Sequence, residues 1–279
     1  MKKEGMVLRS VFGIALVAAA TLGVEDARAD AAKGPSGREI MQRNAEAGTF
    51  TQLLSSSTLT IGGPGGDARA KSFTLWRKVA ADGVHHRTLT RFNAPAEIKG
   101  EGVLFDERTN GQNEVLLYLP RFKKVRRVEA QAQRSSFMGS SFSYTDMTTQ
   151  AVDDYKHDLT KSEPCPGDAK SSCFVVTSLP ANETVKNNHG YARKVTWVRA
   201  SDYQTIQSEL FDVDGALWKR VVFSDIKEVD SAKKKALPHA IRVDDLKTKR
   251  FSTIHVSKAD VASPISDGMF NEQGLSREI

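Results

Sequence analysis

Hydrophobic and polar residues alternate along much of this chain, which is the pattern of half-buried β-strands. Phe73, Leu75, Arg77 and Val79 fall on one face of such a segment, and the residues between them fall on the other. Further stretches place β-branched and aromatic residues between polar breaks, at positions 58–61, 102–105, 114–119, 174–178, 194–198, 206–213, 217–223, 241–243 and 251–256. The pattern predicts a mainly β protein with about ten strands.

Three dipeptides predict how these strands are connected. Asp82-Gly83 follows the predicted strand at 73–79, and Asn110-Gly111 and Asp214-Gly215 each stand between two predicted strands. Asp-Gly and Asn-Gly accept the positive φ angles of tight hairpins. An antiparallel meander is therefore expected. A long antiparallel sheet can roll into an incomplete, half-open β-barrel. We expect helices at 37–48 and 146–155 and a turn near 266–270, which would cover the interior as a lid.

The first 29 residues have the organisation of a secretory signal peptide. Lys2, Lys3 and Arg9 precede an apolar run, and Ala27-Arg28-Ala29 supplies a small-x-small cleavage site. The apolar run is too short for a membrane span, which needs roughly 20 apolar residues. A buried N-terminal helix is the alternative interpretation. We therefore expect a leader at 1–29, a single domain at 30–279, and a soluble periplasmic protein.

The two cysteines, Cys165 and Cys173, have seven residues between them and lie in a chain predicted to be exported. In an oxidising compartment such a pair usually closes a loop as a disulfide. A metal site would need further ligands nearby, and redox catalysis prefers a gap of two residues. A structural disulfide is the favoured interpretation.

Charge and motifs limit the other function classes. The formal net charge is +6, spread along the chain, which is too weak to indicate nucleic-acid binding. Gly139-Ser140-Ser141 lacks the nucleophile elbow of hydrolases, and adjacent histidines on a strand point to opposite faces and cannot chelate together. We expect neither catalysis, nor a metal, nor a cofactor.

Residues 91–147 carry a family resemblance. The stretches RFNAPAEIKGEGVL (91–104), LYLPRFKKVRRV (117–128) and SFMGSSFSYTDM (136–147) resemble, in order and spacing, the LolA-like outer-membrane lipoprotein-sorting family. Tyr191–Val198, the Asp-Gly hairpin followed by Lys219, and the closing Phe270 and Leu275 are similar to the second half of that family. Ser141, Thr145 and Met147 depart from it. The first two replace common acids, which weakens the expectation of an ion pair between this segment and the basic run before it.

The resemblance implies a half-open β-barrel with a lid that carries lipid, lipoprotein acyl chains or other hydrophobic cargo. It also implies that the protein functions together with an inner-membrane exporter of the resistance-nodulation-division type. Burying hydrocarbon contributes about 0.8 kcal/mol of binding free energy per methylene. An apolar interior can therefore hold an acyl chain without covalent chemistry. The alternative is a roll filled by its own side chains, which would serve only as an interaction module of an envelope complex.

Two groups of residues follow as candidate sites. The expected cargo contacts are the inner-face residues Leu59, Ile61, Phe73 and Leu75, together with Phe137, Met138 and Phe142. The Phe-Met-Gly segment is either a hinge at the cavity mouth or a tight turn that packs its aromatics into the core. The expected docking site for anionic head groups, a peripheral membrane contact or a partner consists of Arg121, Lys123, Lys124, Arg126 and Arg127. The alternative there is a solvated face that protects a sheet edge.

Overall fold

The structure, a computed structural model, describes residues 34–108 and 112–277, apart from the side chain of Asp67. The predicted leader at 1–29 and the predicted Asn110-Gly111 turn lie outside the described residues. The compact unit that begins at Ser36 contains the strands and helices that follow.

One antiparallel sheet of thirteen strands makes up most of the molecule. Its strands, in chain order from β1 to β13, are Gln52–Gly63, Gly66–Val79, His86–Ala94, Gly102–Asp106, Glu114–Leu119, Lys124–Arg127, Tyr155–Cys165, Asp168–Pro180, Arg193–Arg199, Thr205–Phe211, Leu217–Asp230, Lys235–Asp245 and Arg250–Asp260. The predicted mainly β class and the unclosed antiparallel sheet are confirmed. The number of strands was predicted too low, partly because β7 is exposed over most of its length and so gives no apolar alternation.

The strand order is β6-β5-β4-β3-β2-β1-β13-β12-β11-β10-β9-β8-β7. Successive hairpins therefore build the sheet outward in two directions from the central pair of β1 and β13, in which Leu59 lies opposite Ile254. The predicted hairpin signals are found in turns, with Gly83 at φ 73° and Gly215 at φ 86°, a region that glycine adopts without strain. Strands β6 and β7 are the two edges.

Because consecutive strands β6 and β7 lie at opposite edges, residues 128–154 must pass from one side of the sheet to the other. We call them the crossing segment. It contains short 3-10 turns at Ala130–Arg134, Phe137–Gly139, Thr145–Met147 and Val152–Asp154. The helix predicted at 146–155 is wrong: the Asp146 carboxylate accepts from the Ser143 amide at 2.8 Å, which closes a tight turn, and β7 begins at Tyr155.

Helix α1, Gly37–Gly48, has the predicted bounds. Ser36 and Glu39 form a reciprocal capping box at its start. It buries Ile40 beside Val176 and Val198 and contacts β7, β8 and β12, so it spans several strands of the rolled sheet. Two shorter helices, α2 at Glu183–His189 and α3 at Glu272–Ser276, were not predicted from the pattern.

A 3-10 turn at Asp267–Met269 matches the turn predicted near 266–270. It leads into α3, which packs Leu275 with Phe270 and Leu89 in a second apolar cluster. None of the described helices combines the length and the apolar character needed to cross a membrane.

Candidate functional site: a two-lobed cavity

A cavity of about 480 Å³ lies among the sheet, α1 and the crossing segment. Its wall is mostly apolar and includes Leu53, Phe73, Leu75, Phe142, Leu210, Val221, Val243 and Ile254. We call this space the apolar lobe. Its size falls within the usual range of small-molecule sites, roughly 300–1,000 Å³. The rolled sheet is therefore not filled by its own side chains.

A second space, of about 350 Å³, adjoins the first, and its wall is also mainly apolar, with a slightly larger polar share. We call it the second lobe, and the polar part of its wall includes Thr49, His86, Tyr155, His157, Ser178 and Gln204. Met41, Arg77, Lys194 and Leu237 line both lobes. Because these residues are shared, the two lobes form one continuous cavity.

Three of the predicted cargo contacts, Phe73, Leu75 and Phe142, lie in the wall of the apolar lobe. The other four do not. Leu59, Ile61 and Phe137 are buried in the main apolar cluster and Met138 packs against it. Phe137 is fully buried and packs with the rings of Phe92, Phe105 and Tyr144 at centroid distances of 5.5–6.2 Å.

The crossing segment is tied to the strands around it by polar contacts. Lys71 on β2 donates to the Met138 carbonyl at 2.7 Å, and Arg77 on β2 donates to the Met147 carbonyl at 3.1 Å. On strand β13, the Ser252 hydroxyl accepts from the Ser141 amide at 2.9 Å. These contacts hold the segment inside the roll, where it packs its aromatics into the core as in the tight-turn interpretation.

A buried polar centre also lies beside the apolar lobe. Lys219 Nζ is 2.7 Å from Asp146 Oδ2 and 3.1 Å from the Tyr191 hydroxyl, and that hydroxyl donates to Asp146 Oδ1 at 2.6 Å. Burial opposes the charge of Asp146, but Lys219, with the hydrogen bonds from Tyr191 and Ser143, outweighs it and lowers the pKa of the carboxyl group. Burial raises the pKa of Tyr191 well above its usual value.

Sequence reasoning did not assign a role to this centre. The three residues are far apart in the chain, and the only sequence signal was that Asp146, Tyr191 and Lys219 each fall within the stretches that carry the family resemblance. Asp146 is the acid that the less acidic segment retains, and it pairs with Lys219 rather than with the basic run.

Lys194 lies in the wall of both lobes. Its Nζ is 4.1 Å from the centre of the Tyr155 ring and 5.6 Å from that of Tyr191, distances at which an aromatic face attracts a cation. Desolvation lowers the pKa of Lys194 to about 7, although the negative charges of Asp146 and Asp154 oppose this shift.

The predicted docking residues lie at one edge of the sheet. Lys124, Arg126 and Arg127 belong to β6, and Arg121 and Lys123 belong to the turn that precedes it; all five are exposed. Arg127 pairs with Glu114 on the neighbouring strand β5. Between Arg121 and Lys123, the side chain of Phe122 is 63% exposed, so this edge presents an aromatic ring among cations.

Cys165 and Cys173 form the predicted disulfide, with their Cα atoms 5.0 Å apart. The bond closes the β7–β8 hairpin at the other edge of the sheet. Within the described ranges, no group of three or more histidine, cysteine, aspartate or glutamate side chains is arranged to hold a metal ion.

Comparison with known proteins agrees with this architecture. A family model described as "Uncharacterized protein" matches residues 85–277, and no curated protein matches the chain. Two crystal structures each share 24% identity with a TM-score of 0.78 over 86% of this chain: a domain assigned to outer membrane lipoprotein sorting from Vibrio parahaemolyticus, 98% covered, and a DUF1329 family protein from Desulfovibrio piger, 97% covered.

A LolA superfamily protein from Nitrosomonas europaea is 16% identical, with a TM-score of 0.65 over 86% of this chain and 99% of its own. The resemblance to LolA-like proteins predicted from the sequence is thereby confirmed for the fold.

Proposed function

Since the chain belongs to the family whose model spans residues 85–277, and has the fold of lipoprotein-sorting proteins, we propose that it is a periplasmic carrier of hydrophobic cargo. The cargo is a lipid or the acyl chain of a lipoprotein. The proposal assigns binding and release to the protein, and no chemical reaction.

The observation that carries this proposal is the apolar lobe. Its wall is built from Phe73, Leu75, Phe142 and the inner residues of the strands opposite them. Each methylene moved from water into such a space contributes about 0.8 kcal/mol, so an alkyl chain of ordinary length binds without covalent help. The same space argues against the alternative of a filled roll that acts only through its surface.

The exposed basic edge supplies the second part of the proposal, a docking site on an anionic membrane surface. Each Lys or Arg near such a surface contributes about 1 kcal/mol, and an exposed apolar ring such as that of Phe122 is buried at the boundary between head groups and acyl chains. The inner-membrane exporter implied by the family resemblance is the proposed partner in cargo transfer. An acidic surface on that partner is the competing occupant of the basic edge.

The test of the carrier function is occupancy of the apolar lobe. Organic extracts of the purified protein are analysed by mass spectrometry, and displacement of a fluorescent alkyl probe is titrated with lipids. Ile241→Trp fills the lobe from β12 and should abolish probe binding, because the Ile241 side chain lines that space.

Val222→Trp on β11 is the matched control. Val222 lies between the cavity residues Val221 and Phe223, so on the alternating strand it points to the opposite face. This variant should bind normally. A wild-type protein that neither co-purifies with lipid nor binds the probe would contradict the carrier function.

A further inference from the structure

Two cationic side chains lie where the two lobes meet. The apolar lobe has a mostly apolar wall. Lys194 and Arg77, which line both lobes, place their cationic side chains beside that apolar space. We call the wall around these two residues the junction.

The cations beside the cavity differ in how their charge is balanced. Lys219 is neutralised by Asp146 at 2.7 Å. Arg77 donates to Thr88 Oγ1 at 3.0 Å and to the Met147 carbonyl at 3.1 Å, both of which are uncharged acceptors. Its charge therefore has no paired carboxylate among the described residues.

The ammonium group of Lys194 has fewer hydrogen-bond partners than the guanidinium group of Arg77. Within the part of the chain that the structure describes, its ammonium makes no hydrogen bond and no ion pair, and its close neighbours are the faces of Tyr155 and Tyr191. An ammonium group carries three donors, and a half-buried one whose donors are unused is costly unless something in the cavity accepts from it. A carboxylate or phosphate oxygen is the strongest such acceptor.

The aromatic faces that support Lys194 also fix where its charge lies. Tyr155 is itself held by His189, whose Nδ1 is 2.7 Å from the Tyr155 hydroxyl, and Tyr191 is held by Asp146 and Lys219. Both rings are therefore held in place through their hydroxyl groups. The ammonium is presented at a defined place next to the apolar wall, and a ligand does not have to order these side chains before it binds.

Resting on the proposed carrier function, we propose that the junction is a head-group site, and that the cargo is an amphiphile with one alkyl chain and an anionic head group. The chain lies in the apolar lobe, and the head group accepts hydrogen bonds from Lys194 and faces Arg77. A neutral hydroxyl head group on the same chain accepts a weaker hydrogen bond from Lys194 than a carboxylate does, and a cationic head group is repelled.

The test compares ligands that differ only in the head group. Laurate, dodecanol and dodecyltrimethylammonium are titrated against the purified protein loaded with a fluorescent alkyl probe. The wild type should bind laurate about tenfold more tightly than dodecanol, the size of effect given by one charge-assisted hydrogen bond, and should bind the cationic amphiphile most weakly.

Lys194→Met should bind laurate no more tightly than dodecanol, whereas Lys194→Arg keeps the charge and should keep the preference. Lys156→Met, at an exposed position on β7, is the control for loss of a positive charge elsewhere. Equal affinities for the two ligands in the wild type, or a preference that survives in Lys194→Met, would overturn the head-group site but leave the carrier function standing. Failure of folded wild-type protein to bind the alkyl probe at all would overturn the carrier function itself.

Discussion

Lys219 Nζ lies 2.7 Å from the carboxylate of Asp146, and only 2% of the Lys219 side chain is exposed. The pair joins β11 to the crossing segment, two parts of the chain separated by 73 residues. Tyr191 completes the arrangement through its hydroxyl. This buried contact therefore acts together with those of Lys71, Arg77 and Ser252 to hold the crossing segment, which forms one wall of the cavity.

Removing one partner of this pair should cost more stability than removing both. Asp146→Asn leaves the Lys219 ammonium buried and uncompensated, and we expect a loss of about 3–5 kcal/mol in the free energy of unfolding. Asparagine can still accept from Tyr191 and Ser143, so the main change is the lost charge. Adding Lys219→Met should recover a large part of the loss, because the unpaired ammonium is then gone.

Urea unfolding of the wild type, both single variants and the double variant measures this coupling. Single-variant losses that add up in the double variant would show that the two residues act independently and would contradict the prediction.

The sequence predicted the fold class better than it predicted the cavity wall. Helix α1 was predicted with its observed bounds, where Ile40 and Met41 supply its apolar residues, and Asp214-Gly215 identified a turn between neighbouring strands. These signals are local. Strand β7 was missed because an edge strand exposed on both faces shows no alternation.

The wall of the cavity depends on contacts that no local pattern encodes. Phe73 and Phe137 are both apolar residues that sequence reasoning placed in the interior, yet one lines the apolar lobe and the other packs with three aromatic rings. The difference arises from how far the crossing segment enters the roll, which contacts such as that of Lys71 with Met138 determine. The position of Lys194 between two tyrosine rings is likewise a tertiary property.

Gly37→Ala should loosen the packing of α1 on the sheet. A Cβ atom at position 37 would lie 2.6 Å from the carbonyl oxygen of His157 on β7, which is closer than atoms in contact can approach. Overpacking of this kind costs about 1–3 kcal/mol. We expect faster amide exchange throughout α1 and a lower unfolding midpoint in urea.

Gly48→Ala, at the other end of α1, is the matched control. Nothing lies within 4 Å of a Cβ atom there, and alanine favours helix by about 0.5–1 kcal/mol relative to glycine. Its stability should be unchanged or slightly higher. Equal losses in the two variants would mean that α1 does not rest closely on β7.

Reversing charge on the basic edge should weaken attachment to anionic membranes. Lys124 and Arg126 are exposed on β6, and neither is in an ion pair within the described residues. Lys124→Glu combined with Arg126→Glu should lower the affinity for phosphatidylglycerol vesicles at least roughly thirtyfold, because each basic residue contributes about 1 kcal/mol. Vesicle co-sedimentation at low salt measures this.

The control for the basic edge changes the net charge equally at another place. Lys233→Glu with Lys234→Glu alters an exposed loop between β11 and β12 and should have a smaller effect. Phe122→Ser should also weaken vesicle binding, since its ring is exposed beside these cations. If both double variants lose affinity to the same extent, net charge alone explains the binding. If neither loses it, the edge does not dock on membranes and an acidic partner surface takes its place as the occupant to test.

The preference for an anionic head group should depend on pH through Lys194. The pKa of Lys194 in the free protein is about 7, because burial disfavours its charge. A carboxylate ligand stays ionised above about pH 6, so the attraction is lost as pH rises through and above the pKa of Lys194, and a bound anion moves that loss to somewhat higher pH. The ratio of laurate to dodecanol affinity should therefore be largest near pH 6 and decline towards pH 9.

The other groups that face Lys194 are the acids Asp146 and Asp154, the tyrosines Tyr155 and Tyr191, and the histidines His157 and His189. Burial raises the pKa of both tyrosines well above 10 and lowers the pKa of both histidines, to about 3 for His189. Both tyrosines and His189 therefore stay neutral over the range, the lowered pKa of His157 disfavours its charge, and the lowered pKa of Asp146 keeps that group charged. Lys194→Arg provides the decisive comparison, because a guanidinium keeps its charge at pH 9. The ratio of laurate to dodecanol affinity in Lys194→Arg should therefore stay constant. An equal decline of this ratio in the wild type and in Lys194→Arg would assign the pH dependence to a group other than Lys194.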